Sequence, residues 1–304
     1  MSGQESWEQS ACRRWQPDTS PKNAENAWVA EHFMSKFLSV ATVGRVDATL
    51  RILLFMGLGA CVEPFELQRL RLLSEQWCAR VSVVDTPGCG YGRTRLSGLE
   101  KRALLSGNFA PVARRMVRSA QSHDPQLYRP LTIVGYSLGA SIAAAAAAEP
   151  GLIQVEQFIV VEPAATRLRN PLRLLRAVQC EELVLDEYLS RNEGALHHPV
   201  EPAARRGEVI PHSRVDLALL GYALSRGRLV RDMLHAYTIQ AFPVQVVHGT
   251  SSRVARYSDV ARVIATCRSA GVEVHDVPVA GGHALWHSLP DVAELARLTR
   301  VQWS

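Results

Sequence analysis

The five residues Gly135-Tyr136-Ser137-Leu138-Gly139 constrain the fold of this chain more than any other stretch. An apolar run, Leu131 to Val134, precedes them, and an alanine-rich run, ASIAAAAAA over 140–148, follows. The first reads as a strand and the second as a helix. Passing from strand to helix in so short a space needs a turn tight enough to strain the backbone of its central residue. The residues two before and two after that centre must be small, or they collide with neighbouring backbone, and Gly135 and Gly139 satisfy this. Such a turn lifts the Ser137 hydroxyl out at the top of a sheet. The helix N-terminus points its free amides and the positive end of its dipole at the same place. The bland alternative is a glycine-lined packing turn carrying an inert serine.

The rest of the chain repeats this alternation. Short apolar runs rich in Val and Ile occur at 50–56, 81–85, 131–135, 158–162, 244–248 and 272–279, with a weaker candidate at 37–43. Such runs suit strands buried on both faces, as in a parallel sheet. Helical stretches are expected at about 24–37, 64–77, 109–121, 138–148, 258–270 and 291–301. Strands alternating with helices predict an α/β fold with a doubly wound, mostly parallel sheet. One interval breaks the pattern. Between Glu162 and Phe242 no convincing strand appears, only helical stretches at about 178–191, 213–226 and 228–239. That interval is too long for a loop. It is read as an inserted helical lid over residues 164–241, dividing a core made of 24–163 and 242–304, with a polar and loose N-terminal segment at 1–23. Within the insertion, TRLRNPLRLLRA (166–177) alternates Arg and Leu. It reads either as a lid helix with a solvated basic face or as an Arg patch for an anionic part of a substrate.

Composition excludes several function classes. A chain of 304 residues can bury a large core, and one domain with an insertion is expected rather than two domains. The net charge of +5 is spread along the chain as arginines, without the concentrated basic face and aromatic partners of a nucleic-acid binder. No apolar run is long enough to span a membrane, and the first residues lack the apolar core of a secretion signal, so a cytoplasmic location is expected. The six cysteines form no CxxC pair, which argues against structural zinc and makes buried thiols the default. No metal or organic cofactor is implied. The expected partner is a small-molecule substrate, and the oligomeric state is left open.

A serine hydroxyl becomes a good nucleophile only when a base accepts its proton. The candidate is His283, in AGGHALW over 280–286, between the last apolar strand and the final helix. The glycines before it allow the loop to bend back over the sheet. His287 is the nearby decoy, read as a surface or packing residue on the following turn. An oxyanion needs two donors. The Leu138 amide at the helix start is one, and the Leu58 amide in the glycine-rich FMGLGA segment (55–60) is the other. That segment can also be read as an ordinary strand–helix turn.

The runs ILLFMGLGA, VVDTPGCGYG, LTIVGYSLGAS, VQVVHGTSSRV and VAGGHALWHSLP, in this order, resemble the α/β-hydrolase superfamily over roughly residues 48–301. The resemblance implies a serine hydrolase acting on a carboxylic ester or thioester. It also makes Asp85 a structural residue rather than the catalytic acid. Two positions depart from the pattern. Met56-Gly57 stands where many relatives have His-Gly, a change of packing rather than of the backbone donors. More seriously, Ser252 stands where the family's acid is expected, and a serine cannot stabilise an imidazolium as a carboxylate does. Parallel strands end at one edge of the sheet, so a carboxylate closing the strand after the nucleophile's can also reach His283. Glu162 occupies that place. The competing readings are a structural Glu162, a Ser–His dyad assisted by Ser252, and another acid such as Asp259. An apolar acyl group is expected from the leucine-rich insertion. The alternatives to hydrolysis are a cyclase, lyase or acyltransferase in the same pocket, or a degenerate member that binds without turnover.

Overall fold

The computed structural model describes residues 31–34, 38–89, 94–195, 200–202 and 213–299. Among these described residues eight strands form one sheet in the order β1-β2-β4-β3-β5-β6-β7-β8. These are β1 (Glu31–Met34), β2 (Ser39–Val43), β3 (Arg51–Phe55), β4 (Arg80–Val84), β5 (Leu131–Tyr136), β6 (Val155–Val161), β7 (Val244–Gly249) and β8 (Val274–Val279). From β4 to β8 every pairing is parallel, while β2 pairs antiparallel with both β1 and β4. The sheet is therefore mostly parallel and doubly wound, as its alternating sequence predicts. β4, β5 and β7 are buried at every residue, which suits their valine- and isoleucine-rich sequences, although Ser82, Thr132, Gln245 and His248 are buried within them as well. β8 lies at the edge and is exposed at its inner positions, His275, Asp276 and Pro278 among them.

Helices cover both faces. On one side α3 (Ala110–His123), α4 (Leu138–Ala147), α8 (Leu229–Ile239) and α9 (Tyr257–Ser269) build one hydrophobic cluster with the sheet. On the other, α1 (Pro64–Trp77) and α10 (Leu289–Leu298) build a second. α4 is buried at all ten positions, and its alanines let β5, α3 and α8 approach it closely. After β3 the chain moves outward to β4, then returns across β3 to β5. This reversal between β3 and β5 is the kind of switch point beyond whose strand ends α/β sheets open a crevice.

Among the described residues between β6 and β7 lie four helices: α5 (Pro171–Glu182), α6 (Leu185–Ala195), α7 (Arg214–Ser225) and α8. The first three pack at the carboxyl edge of the sheet. α7 is fixed by buried Asp216, which accepts the Leu96 amide at 3.0 Å and pairs with Lys101 at 3.1 Å. α8 instead lies against α4 and α9, as a crossover helix of the core does.

Several sequence expectations are corrected. The helix expected over 24–37 gives way at 31–34 to β1, which pairs with β2 and takes up the backbone groups of that strand's edge. Residues 24–30 and 35–37, like the segment 1–23, lie outside the described residues, as does the end of the helix expected over 291–301. The weak strand near 37–43 is real, as β2. The helix expected over 178–191 is two helices, α5 and α6, parted at Leu183–Val184 without a glycine or proline to announce it. α2 (Gly98–Leu105) was not expected, although Ser97 and Glu100 form a reciprocal capping box that marks its start. Cys61, Cys89 and Cys267 are buried thiols, but Cys180 is only half-buried and Cys78, at the left-handed C-cap of α1, is exposed.

Candidate active site

Ser137 follows β5 and precedes α4 with φ 54° and ψ −110°. Its amide donates to the Val161 carbonyl of the neighbouring strand at 2.9 Å, which fixes the turn against β6. A Cβ on Gly135 would lie 2.5 Å from the Ala140 Cα, and one on Gly139 would collide with the carbonyl of Phe55. The glycines at these two places are therefore steric necessities. Non-glycine residues with positive φ among the described residues are Cys78, Ser137 and Glu162. Cys78 is a helix cap. The other two are the candidate nucleophile and the candidate acid, and strained backbone of this kind persists only where the surrounding structure holds it.

The fold brings Ser137, His283 and Glu162 into one hydrogen-bonded chain. The Ser137 Oγ lies 3.0 Å from His283 Nε2, and Glu162 Oε2 lies 2.8 Å from His283 Nδ1. Glu162 is fully buried, and only 7% of Ser137 and 8% of His283 are exposed. With a carboxylate at Nδ1, the ring carries its proton there and turns the bare Nε2 towards the serine. Glu162 also accepts the Gly249 amide on Oε1 and the Ser252 hydroxyl on Oε2 at 2.6 Å. Ser252 in turn accepts the Ala255 amide at 3.0 Å. Ser252 thus donates to the same carboxylate oxygen that meets His283. The His283 ring stacks on Tyr136, 5.4 Å between centroids, and the Tyr136 hydroxyl donates to the His283 carbonyl at 2.9 Å.

The two oxyanion candidates flank the serine. Leu138 is the first residue of α4, so its amide has no acceptor within the helix. Leu58 lies in the turn after β3. A Cβ on Gly57 would sit 3.7 Å from the Ser137 Cβ, which places this turn directly beside the serine.

The remaining candidates lie elsewhere. Asp85 accepts the Val62 amide at 2.6 Å and supports the loop after β3; burial pushes its carboxyl up to about 7. Asp259 is held by Arg169 at 2.6 Å and Arg167 at 3.1 Å, so these two arginines of the Arg-Leu stretch are engaged within the protein. His287 bonds the Ala284 carbonyl at 3.3 Å, and desolvation, with Arg69 nearby, pushes its ring down to about 3. It stays neutral in neutral solution. An open groove of about 400 Å³, lined by Arg114, Arg118 and Tyr128 among others, lies at the opposite edge of the sheet, before β5 and β6, and takes no part in this constellation. Sequence reasoning missed Glu181 and Tyr188 of the insertion, which bond the loop carrying His283. No local signal marks them, because each acts on a residue about a hundred positions away.

A mostly parallel sheet with a serine on a strained strand–helix turn, a histidine after the last strand and helices inserted after β6 defines an α/β hydrolase. Residues 54–298 match the alpha/beta hydrolase family, and the chain belongs to that family. Its fold is similar to the thioesterase domain from the curacin biosynthetic pathway, with 21% identity over 90% of this chain and 99% of that one and a TM-score of 0.51. It is similar to the enol-lactonase from Burkholderia xenovorans LB400, with 17% identity, 84% and 93% coverage and a TM-score of 0.55. It is also similar to the N-formylmaleamic acid deformylase from Pseudomonas putida S16, with 14% identity, 88% and 100% coverage and a TM-score of 0.58. At these identities the likeness establishes the fold alone. No curated protein matches the chain in sequence. No helix among the described residues is long and apolar enough to cross a membrane.

Proposed function

We propose that the chain is a serine hydrolase that cleaves a carboxylic ester or thioester through an acyl-enzyme on Ser137. The observation that carries this reading is the unbroken chain from Ser137 Oγ through His283 to Glu162, at 3.0 and 2.8 Å. His283 Nε2 takes the serine proton as Oγ attacks the substrate carbonyl carbon. The carbonyl oxygen becomes an oxyanion, held by the amides of Leu138 and Leu58. Glu162 stabilises the imidazolium that forms. His283 then gives its proton to the leaving alcohol or thiol, and the C–O or C–S bond breaks. A water, deprotonated by the same nitrogen, attacks the acyl-enzyme and releases the acid and Ser137.

The helices α5, α6 and α7 act as the lid, and α8 belongs to the core. A leucine-rich lid favours an apolar acyl group. The reading of the site as degenerate rested on the serine at 252, and it loses that ground when Glu162 supplies the carboxylate. The test is labelling by a fluorophosphonate, together with turnover of p-nitrophenyl esters and acyl thioesters of graded chain length. Labelling and turnover are expected in the parent and absent in Ser137→Ala, with the fold retained. Near-parental turnover in Ser137→Ala would refute the proposal.

A further inference from the structure

One more buried carboxylate stands against the site, and it comes from the inserted segment. Glu181 lies in the last turn of α5 and is 6% exposed. Its two oxygens take different backbone amides. Oε2 accepts that of His283 at 3.0 Å, and Oε1 accepts that of Arg253 at 2.6 Å. Arg253 directly follows Ser252, which holds Glu162. A single side chain thus ties the loop after β7, which supports the acid, to the loop after β8, which carries the histidine. A Cβ on Gly282 would lie 2.7 Å from Glu181 Oε2, so the loop runs close against the carboxylate. α6 extends the grip. The Tyr188 hydroxyl accepts the Gly282 amide at 2.6 Å, and Asn192 brackets the far end of the loop, donating to the His287 carbonyl at 3.0 Å and accepting the Leu289 amide at 2.7 Å.

We propose that Glu181 is a positioning residue that aligns His283 and thereby couples proton transfer to the docking of α5 on the core. The inference rests on the reading of Ser137, His283 and Glu162 as the working triad. Buried backbone amides need an acceptor, and an ionised one binds them strongly. A motion that lifted the C-terminal end of α5 would free the Arg253 and His283 amides together, and the imidazole would lose its fixed place between Glu162 and Ser137. The segment that covers the site is therefore also part of the scaffold that assembles it.

The test is Glu181→Gln, which keeps the shape of the side chain but replaces one acceptor oxygen with an amide NH2 that cannot accept. A displacement near 1 Å costs about 100-fold, so kcat on p-nitrophenyl butyrate is expected to fall about 10- to 100-fold while KM stays within about two-fold of the parent. Glu182→Gln, an exposed neighbour on the same turn, is expected to match the parent. Tyr188→Phe, which removes the acceptor for Gly282, is expected to lower kcat less, and it serves if Glu181→Gln fails to fold. A second readout needs no turnover: the downfield NMR proton of His283 Nδ1 bonded to Glu162 should shift or broaden in Glu181→Gln. A folded variant with parental kcat and an unmoved resonance, or a change in KM alone, would overturn the proposal. Should Ser137→Ala prove the hydrolase reading wrong, the resonance still reports whether Glu181 positions the ring.

Discussion

Replacing Glu162 with Gln tests the least expected part of the site, because the substitution is nearly isosteric and changes one chemical property. In the parent, Oε1 accepts the Gly249 amide, while Oε2 accepts both the Ser252 hydroxyl and the His283 Nδ1 proton. A glutamine satisfies Gly249 with its remaining oxygen only by turning its NH2 towards His283. An amide NH2 donates, so Nδ1 must become the acceptor and the ring proton moves to Nε2, facing Ser137. That is the wrong tautomer for a general base. Loss of the imidazolium's counter-charge adds to the cost. Where an equivalent change has been made in a serine triad, kcat falls by about four powers of ten with the geometry intact, equivalent to about 5 kcal/mol in the barrier. The same scale is expected here for deacylation and for phosphonylation by a fluorophosphonate, measured by stopped flow, with far-UV circular dichroism unchanged. A Glu162→Gln enzyme that retained more than about a tenth of parental kcat would refute the assignment, because a dyad needs no acid at Nδ1.

Two further outcomes follow from the same geometry. Ser252 Oγ lies 2.6 Å from the Glu162 oxygen that meets His283, so a carboxylate grown from position 252 can enter the same space; Glu162→Gln/Ser252→Asp is expected to recover at least about ten-fold over Glu162→Gln alone, measured as kcat on one ester, and equal rates in the two variants would count against the shared space. Burial raises the Asp85 carboxyl from 3.8 to about 7, so the folded state keeps a proton that the unfolded state has already lost, and Asp85 makes stability fall as pH rises between those values. Asp85→Asn retains an oxygen to accept the Val62 amide and is expected to flatten that fall in thermal unfolding from about pH 4 to about pH 7; parallel curves for parent and variant would show that Asp85 is not the source.

How much of this was readable in the chain depends on the range over which each feature is determined. The turn at Ser137 was legible because its demands are local: a buried strand before it, a helix after it, and glycines where a Cβ at 139 would strike the carbonyl of Phe55. The parallel sheet was legible because strands buried on both faces are dominated by apolar, valine- and isoleucine-rich residues, as in β4, β5 and β7. β1 was not, since EHFM carries no strand signal strong enough to stand alone, and its pairing comes from the open edge of β2. The division between α5 and α6 was also hidden. Leu183 and Val184 break no helix by themselves, and the break instead lets Glu181 and Tyr188 both face the loop of His283. Contacts at such separations leave no periodicity to read.

The placement of Glu162 beside His283 shows how a long-range contact can still be inferred from a short-range feature. β6 lies between β5, which ends at Ser137, and β7, which leads to Ser252, so the residue closing β6 has both strand ends as neighbours. Its amide bonds the Val247 carbonyl at 2.8 Å, which continues the ladder one residue past the strand. At φ 51° the chain then turns out of the sheet, and Pro163 follows without an amide to extend the pairing. A positive φ at a non-glycine residue costs about 1–3 kcal/mol, a cost that three hydrogen bonds to the Glu162 carboxylate can offset. The same turn launches the inserted segment. The end of β6 therefore supplies the proposed acid directly, and through the helix that departs from it supplies Glu181, which bonds the amide of the histidine that Glu162 meets.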